Sequence, residues 1–415
     1  MFLNKVRNNR LILQNTGYLS VIEVIRLAMP FVALPYIIRT VGAENYGTAV
    51  FAQTIISYFS ILINWGLDVS AVKDVSVHRN NPTELNKIVS SVLGLKAVLF
   101  CISLVFLLVC IALIPYMYRC KQLFLLAFMT CVSEIFFPVW FYQGIEKMKY
   151  LTLVRITSIL FYTLSVFIFI HTKEDYELIV LLQSLGNVFA GCLSLYLLFG
   201  VNKIKLVFPG YERLNFTFKN SIPFFTSRLS VVFNNTMAKT VSGIFFSMEV
   251  VAAFDLAQKM ATVALVPMQM LNQAVYPHIA KTLSRSFVKK FLYANVTLSF
   301  LVAFIVFMLS PVFVRFFAGG QLDESVALLR ILALWVFCGG ITTYIGAPVL
   351  VSFGYPRPFN VSVLLSTGVL FVLYLSMYII GILNIYYFAF VLFLSELAIL
   401  VYRFYYCWKL KLLSI

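Results

Sequence analysis

Ionisable side chains set inside long apolar stretches are the residues of this 415-residue chain with chemistry to offer. A charge at the centre of a bilayer costs roughly 2.5–3.5 kcal/mol on insertion scales, so each needs a partner, water or a task. Arg26, Lys96, Arg228, Lys239 and Lys259 fall inside such stretches. Glu23, Asp68, Glu134, Asp255 and Glu396 lie within them or at their edges. Arg228, Asn235, Lys239 and Ser242 recur at helical spacing, so they share one face, with Arg228 and Lys239 ~16 Å apart along it. Asp255, Lys259, Thr262, Gln269 and Gln273 form a second stripe, Asn15 and Arg26 a third, and Gln53, Ser57, Ser60 and Asn64 a fourth. A helix with one polar stripe in an apolar chain turns that face away from lipid.

Local explanations compete with functional ones. Glu23 with Arg26 and Asp255 with Lys259 stand three and four residues apart, so each couple reads equally as a helix-surface ion pair. Lys96, early in its stretch, is expected to snorkel to the inner face. Asp68, at a stretch end, is expected to be solvated, and Glu396 to pair with Arg403 two turns on or to lie near the surface. Arg228 and Lys239 have no acid three or four residues away, which makes them the leading anion-binding candidates. His78, His171 and His278 are scattered in loops without metal-ligand spacing. Most cysteines sit inside the stretches, so no disulfide framework is implied. A Walker A pattern is lacking. Neither a metal nor a cofactor is therefore expected.

The elements that position these residues follow from composition. Hydrophobic residues make up 61% of the chain and charged ones 12%, against roughly 25% charge in a soluble domain; mean hydropathy is +0.94. Twelve apolar stretches have the length of a membrane-crossing helix, near 11–38, 46–66, 87–115, 121–143, 152–171, 176–199, 217–246, 250–274, 288–316, 325–351, 358–380 and 384–407. Placing the N terminus in the cytoplasm leaves only Arg39, Arg119, Lys121, Lys173, Arg315 and Arg330 outside, while the remaining loop Lys and Arg, Arg155 and Arg403 included, fall inside. That bias predicts both termini cytoplasmic. It also explains the net charge of +16 as a topology signal and an attraction to anionic lipid, not to nucleic acid. The start MFLNKVRNNR leads into a span too long for a signal-peptide core, so no cleavable leader is expected. Pro30, Pro35, Pro223 and Pro267 fall inside spans and read as gates or static bends.

The halves look related. Residues 47–53 (GTAVFAQ) align with 252–258 (AAFDLAQ), and the same offset lays the basic loop after Lys73 on the loop after His278. Six spans per half make a parallel repeat about the membrane normal. The expected fold is an all-α integral membrane protein of twelve transmembrane helices in two six-helix lobes, with a parallel pseudo-twofold repeat. Residues 1–200 form one lobe, 201–216 with Pro209-Gly210 a cytoplasmic linker, and 217–415 the other.

The stretch Gly42-Ala43-Glu44-Asn45-Tyr46-Gly47, followed by Ala52-Gln53, Ile55-Ile56-Ser57-Tyr58-Phe59 and Trp65-Gly66-Leu67-Asp68, resembles the first two-helix unit of bacterial polysaccharide transporters, O-antigen flippases above all. Their superfamily also holds multidrug extrusion transporters and murein-precursor flippases. Lys73-Asp74 departs from the pattern, where arginine would precede the acid. The resemblance implies a central cleft lined by spans one, two, seven and eight. It implies an inner-membrane flippase, not an enzyme, that carries undecaprenyl-pyrophosphate O-units from the cytoplasmic to the periplasmic leaflet by alternating access. Arg26, Arg228, Lys239 and Lys259 are then candidates for the pyrophosphate, Gln53, Asn64 and Asn235 for sugar hydroxyls, and Asp255 and Glu23 for the coupling ion. Implied partners are the lipid-linked oligosaccharide, membrane lipids, an O-antigen polymerase and a chain-length regulator, with no nucleic acid; the transporter is expected as a monomer. The rivals are a multidrug or cation antiporter of the same superfamily, which would call for unpaired acids, and a multispan polysaccharide polymerase, which would call for larger outer loops.

Overall fold

Within hydrocarbon a backbone satisfies its own polar groups only as helix or closed barrel. A computed structural model describes Met29 and residues 31–412, and among the described residues there is helix and no strand. Among the described residues, ten helical segments are long and apolar enough to cross a membrane: Ala43–His78, Pro82–Leu113, Lys121–Gly144, Met148–Phe169, Lys173–Val201, Met248–Thr282, Arg285–Ala318, Glu324–Val351, Pro356–Ile380 and Ile385–Lys409. The chain is therefore a multi-pass membrane protein. These ten match ten of the expected stretches. Of the other two, the first lies mostly outside the described residues. The seventh is a continuous helix, Tyr211–Phe245, whose Ser, Thr, Asn and Lys content keeps it out of the apolar set.

The helices fall into two units. One comprises the described part of Met1–Gly42 with Ala52–Leu229. It holds α1 (Phe31–Val41), α2 (Ala43–Asn64) from Ala52 onward, α3 (Leu67–His78), α4 (Pro82–Leu113), α5 (Pro115–Arg119), α6 (Lys121–Phe128), α7 (Val132–Phe136), α8 (Val139–Gly144), α9 (Met148–Phe169), α10 (Tyr176–Tyr196) and the first part of α11 (Tyr211–Phe245). The start of α4 follows from sequence: the Asn81 side chain accepts from Glu84 N at 3.2 Å and Pro82 opens the first turn. Leu67, Val75, Trp140, Phe141 and Tyr142 are buried together. With lipid as apolar as the side chains, close packing rather than water exclusion holds such helices.

Trp65 and Gly66 both take left-handed backbone angles, φ 46° and 70°, and break α2 from α3. A Cβ on Gly66 would meet Phe225 N at 2.5 Å and Phe224 C at 2.8 Å, while the Trp65 indole stacks on Phe225 at 4.2 Å and Phe218 at 4.8 Å. Gly66→Ala should therefore destabilise the protein by roughly 2–5 kcal/mol, from the left-handed angle and the backbone clash. Gly94→Ala, whose Cβ meets nothing within 4 Å, serves as control. Thermal unfolding in detergent would measure both; equal midpoints would contradict the packing argument.

The other unit comprises Ala43–Phe51 and the described part of Ser230–Ile415. It holds the start of α2, the end of α11, and α12 (Met248–Ala264), α13 (Val266–Thr282), α14 (Arg285–Ala318), α15 (Glu324–Tyr344), α16 (Pro356–Ile380) and α17 (Ile385–Lys409). Ser284 caps α14 by accepting from Phe287 N at 3.3 Å, and Gly319 ends it with φ 61°. Small residues permit close approach, as where Gly340 of α15 lies against Ser299 of α14. After Tyr344 the helix loosens into a π-turn, Ile345–Val351, containing Pro348 and a non-helical ψ of −105° at Gly346. Arg403 crosses to this break: its Nη1 donates to Thr342 O at 2.7 Å and its Nε to Ser362 Oγ at 2.8 Å, with 5% of the residue exposed. Arg403 is thus a buried donor to a broken helix and not a loop cation. Nor does Glu396 bond it; the Glu396 carboxylate accepts from the Thr342 hydroxyl.

Candidate functional site

Two clusters, one in each unit, pair a lysine with a buried or half-buried aspartate inside the helices. The first is built where α2 ends and α3 begins. Lys96, fully buried on α4, donates to Asp68 Oδ1 at 2.6 Å and to the Glu134 carbonyl at 2.9 Å. The expectations of a snorkelling Lys96 and a solvated Asp68 are therefore corrected. Lys96 turns to the bundle interior because a carboxylate and a carbonyl both face it there. Asn64 Nδ2 donates to Glu134 Oε2 at 2.7 Å. A cavity of about 500 Å³ opens beside this cluster, walled by Ile61, Val69, Val72 and Val139 and carrying Asn64, Asp68, Gln143, Arg155 and Arg228. The Arg155 guanidinium lies 4.7 Å from the Phe137 ring. Arg228 and the Gln143 side chain make no hydrogen bond or ion pair among the described residues. Two guanidinium groups in a walled cavity can take a bidentate oxyanion, and neighbouring amides can take hydroxyls.

The second cluster centres on Asp255 of α12, whose side chain is 3% exposed. Lys239 Nζ of α11 reaches Oδ1 at 3.1 Å; Lys259 Nζ, one turn on from the aspartate, reaches Oδ2 at 2.7 Å. The Tyr46 hydroxyl donates to Oδ2 at 2.6 Å and accepts from Lys259 Nζ at 2.8 Å. Two ammonium groups on one carboxylate leave this cluster cationic. Gln258 Nε2 donates to Asn235 O at 2.9 Å, tying α12 to α11.

The expected residues thus separate. Asn64 and Arg228 share the first cavity, and Lys239, Lys259 and Asp255 share the second cluster. Gln53 stands apart, donating from Nε2 to Gln183 Oε1 at 2.5 Å. Asn235 has an exposed side chain and contributes its carbonyl. Arg26 and Glu23 lie outside the described residues. The local pair Asp255–Lys259 is present, but Lys239 has the same acid from a neighbouring helix, which spacing along α11 cannot reveal. Tyr46, Gln143 and Gln183 were missed. Tyr46 sits in the turn motif at the head of α2, where only its aromatic character between two glycines marks it. Arg155 was sorted with the loop cations; its place four residues past Leu151 on an apolar helix was the available signal.

Comparison with known proteins agrees with this architecture. The chain is 26% identical to the "Putative O-antigen transporter" of Escherichia coli (strain K12), over 88% of this chain and 89% of that one. Its fold matches the lipid II flippase MurJ in an inward closed conformation with TM-score 0.75 and 11% identity, covering 96% of this chain and 87% of that one. It also matches an inward-facing multidrug resistance MATE family transporter of the MOP superfamily, with TM-score 0.68, 13% identity and 95% of each chain covered. At those identities the two structures speak for the fold alone. The model of the family described as "Polysaccharide biosynthesis protein" matches residues 12–283, more than half of the chain, and the chain belongs to that family.

Proposed function

We propose that the protein is a flippase for lipid-linked oligosaccharides, moving undecaprenyl-pyrophosphate O-units from the cytoplasmic to the periplasmic leaflet of the inner membrane by alternating access. The observation that carries this reading is the walled cavity holding Arg155 and an Arg228 that has no hydrogen bond or ion pair among the described residues. An exposed guanidinium lining a cavity is open to a ligand, and a pyrophosphate is its natural complement. Asn64 and Gln143 supply amides for sugar hydroxyls at the same cavity. The family and the relative's name favour the same cargo class. Both termini lie in the cytoplasm on this reading, and a polymerase and chain-length regulator would receive the product. A cation antiporter fits less well: Asp68 and Asp255 are each engaged by lysine, and Glu134 and Glu396 accept from Asn64 and Thr342, whereas Arg228 is not engaged by an acid among the described residues.

Proteoliposomes loaded with a fluorescent pyrophosphate-linked oligosaccharide would test the proposal. Wild-type protein should expose the lipid to an outer quencher faster than empty vesicles, and a cationic dye should not be moved. Dye movement without lipid movement would select the antiporter.

A further inference from the structure

A second cavity, of about 700 Å³, lies in the first unit between α4, α7, the end of α10 and the segment leading to α11. Gly94, Val98, Phe136, Phe199 and Phe208 are among its walls, and Ser90 is its one polar residue. Even Ser90 is spoken for, since its hydroxyl accepts from Val207 N at 2.9 Å. Such a groove has nothing to offer a sugar or a phosphate and takes hydrocarbon. It follows α4 from Ser90 to Val98, about 12 Å of helix rise. One leaflet is about half of a ~30 Å hydrocarbon core, so the groove has the depth of a straight acyl chain in a single leaflet, too short for a long polyprenyl chain.

The rim has the opposite character. Residues 206–209 line the groove as part of a helix-free strap, 202–210, held by Asn202 Nδ2 to Leu197 O at 2.8 Å and by Lys205 N to Asn86 Oδ1 at 2.9 Å. Lys203, at φ 54°, and Lys205 are exposed residues of this strap, just before the lining residues Leu206 and Val207, with no hydrogen bond or ion pair to either side chain among the described residues. Glu84, on the same end of α4, is already bonded by Lys87 and Arg213. An apolar slot one leaflet deep beneath two unengaged cations is complementary to a lipid with a negative head. Basic pockets between membrane helices hold anionic phospholipid head groups in this way.

We propose that this groove is a binding site for one anionic diacyl phospholipid, its head on Lys203 and Lys205 and an acyl chain against Gly94. The site does not depend on what the protein transports. Bound lipid ties the strap to α4 and so rigidifies the connection between α10 and α11.

Native mass spectrometry of the full chain, released from detergent after titration with phosphatidylglycerol or phosphatidylcholine, tests the site. Phosphatidylglycerol should be retained over phosphatidylcholine, and Lys203→Ala with Lys205→Ala should weaken it roughly thirty-fold. Gly94→Leu should also displace it, because that side chain would fill the slot; its Cβ meets no atom within 4 Å, so the helix accommodates the change. Unchanged melting of both variants without lipid separates lost binding from misfolding. Equal retention of the two lipids, or wild-type retention in both folded variants, would overturn the proposal. So would polyprenyl phosphate displacing phosphatidylglycerol from wild-type protein at equal concentration, which would give the groove to the transported lipid instead.

Discussion

Asp255→Ala should empty the membrane of most of the protein. The substitution leaves Lys239 and Lys259 facing each other without the carboxylate that both contact, and removing one partner of a buried pair costs about 3–5 kcal/mol. Native stabilities are themselves only about 5–15 kcal/mol, so steady-state abundance should fall several-fold. Lys239→Met in the same chain should restore part of the loss, because it removes one of the stranded charges, and Lys259 can reach water at 38% exposure. Immunoblots of washed membranes, with thermal unfolding of what can be purified, give the measurement. Wild-type abundance for Asp255→Ala alone would show that the cluster does not hold the second unit together. Tyr46→Phe removes one hydrogen bond from the same carboxylate and should cost about 1–2 kcal/mol by the same readout.

Arg228→Ala should behave in the opposite manner, with transport lost and abundance kept. Its side chain is exposed to the cavity and engages no acid among the described residues, so deletion strands nothing. If the guanidinium holds the pyrophosphate, losing a charge-assisted bidentate contact of roughly 1.5–3 kcal/mol lowers transport about ten- to a hundred-fold. Arg228→Lys should keep a measurable fraction, since it preserves charge and loses the fork. Lipid export in vesicles and protein level must be read on the same preparation. Export at the wild-type rate by a normally abundant Arg228→Ala would end the role assigned to this arginine. Lys239→Ala is the informative contrast: the sequence groups it with Arg228 on one face of α11, but its bond to Asp255 makes loss of abundance the expected outcome.

The all-helical class was legible because hydropathy is a property of each stretch by itself. Ten of the expected spans needed no tertiary information. Asp255–Lys259 was legible for the same reason: a four-residue interval fixes neighbours within one helix. Lys239–Asp255 joins two helices, so its partner depends on how α11 packs on α12, and no interval along either encodes that. Lys96 shows the same limit from the other side. A lysine near a span end reads as snorkelling until the bundle presents Asp68 and the Glu134 carbonyl. Arg403 reads as a loop cation because its partners, the Thr342 carbonyl and the Ser362 hydroxyl, come from other helices, and the break at Gly346 and Pro348 beside them is itself a tertiary outcome.

The polar make-up of α11 bears on how the chain is made. At 35 residues the helix is about 52 Å long, ample for a bilayer, yet it is absent from the segments apolar enough to cross one. Emerging from the ribosome alone, it would meet the translocon with Lys239 uncompensated and would slip past without partitioning. Met248–Thr282 follows at once and brings Asp255. Biogenesis should then proceed by paired entry, the two segments leaving the translocon as a hairpin whose internal salt bridge lowers the entry barrier. Nascent chains ended after residue 247 should fail to lodge α11, and chains ended after residue 283 should succeed, as engineered glycosylation sites would report. Lodging of α11 in the shorter chain would mean that it enters unaided.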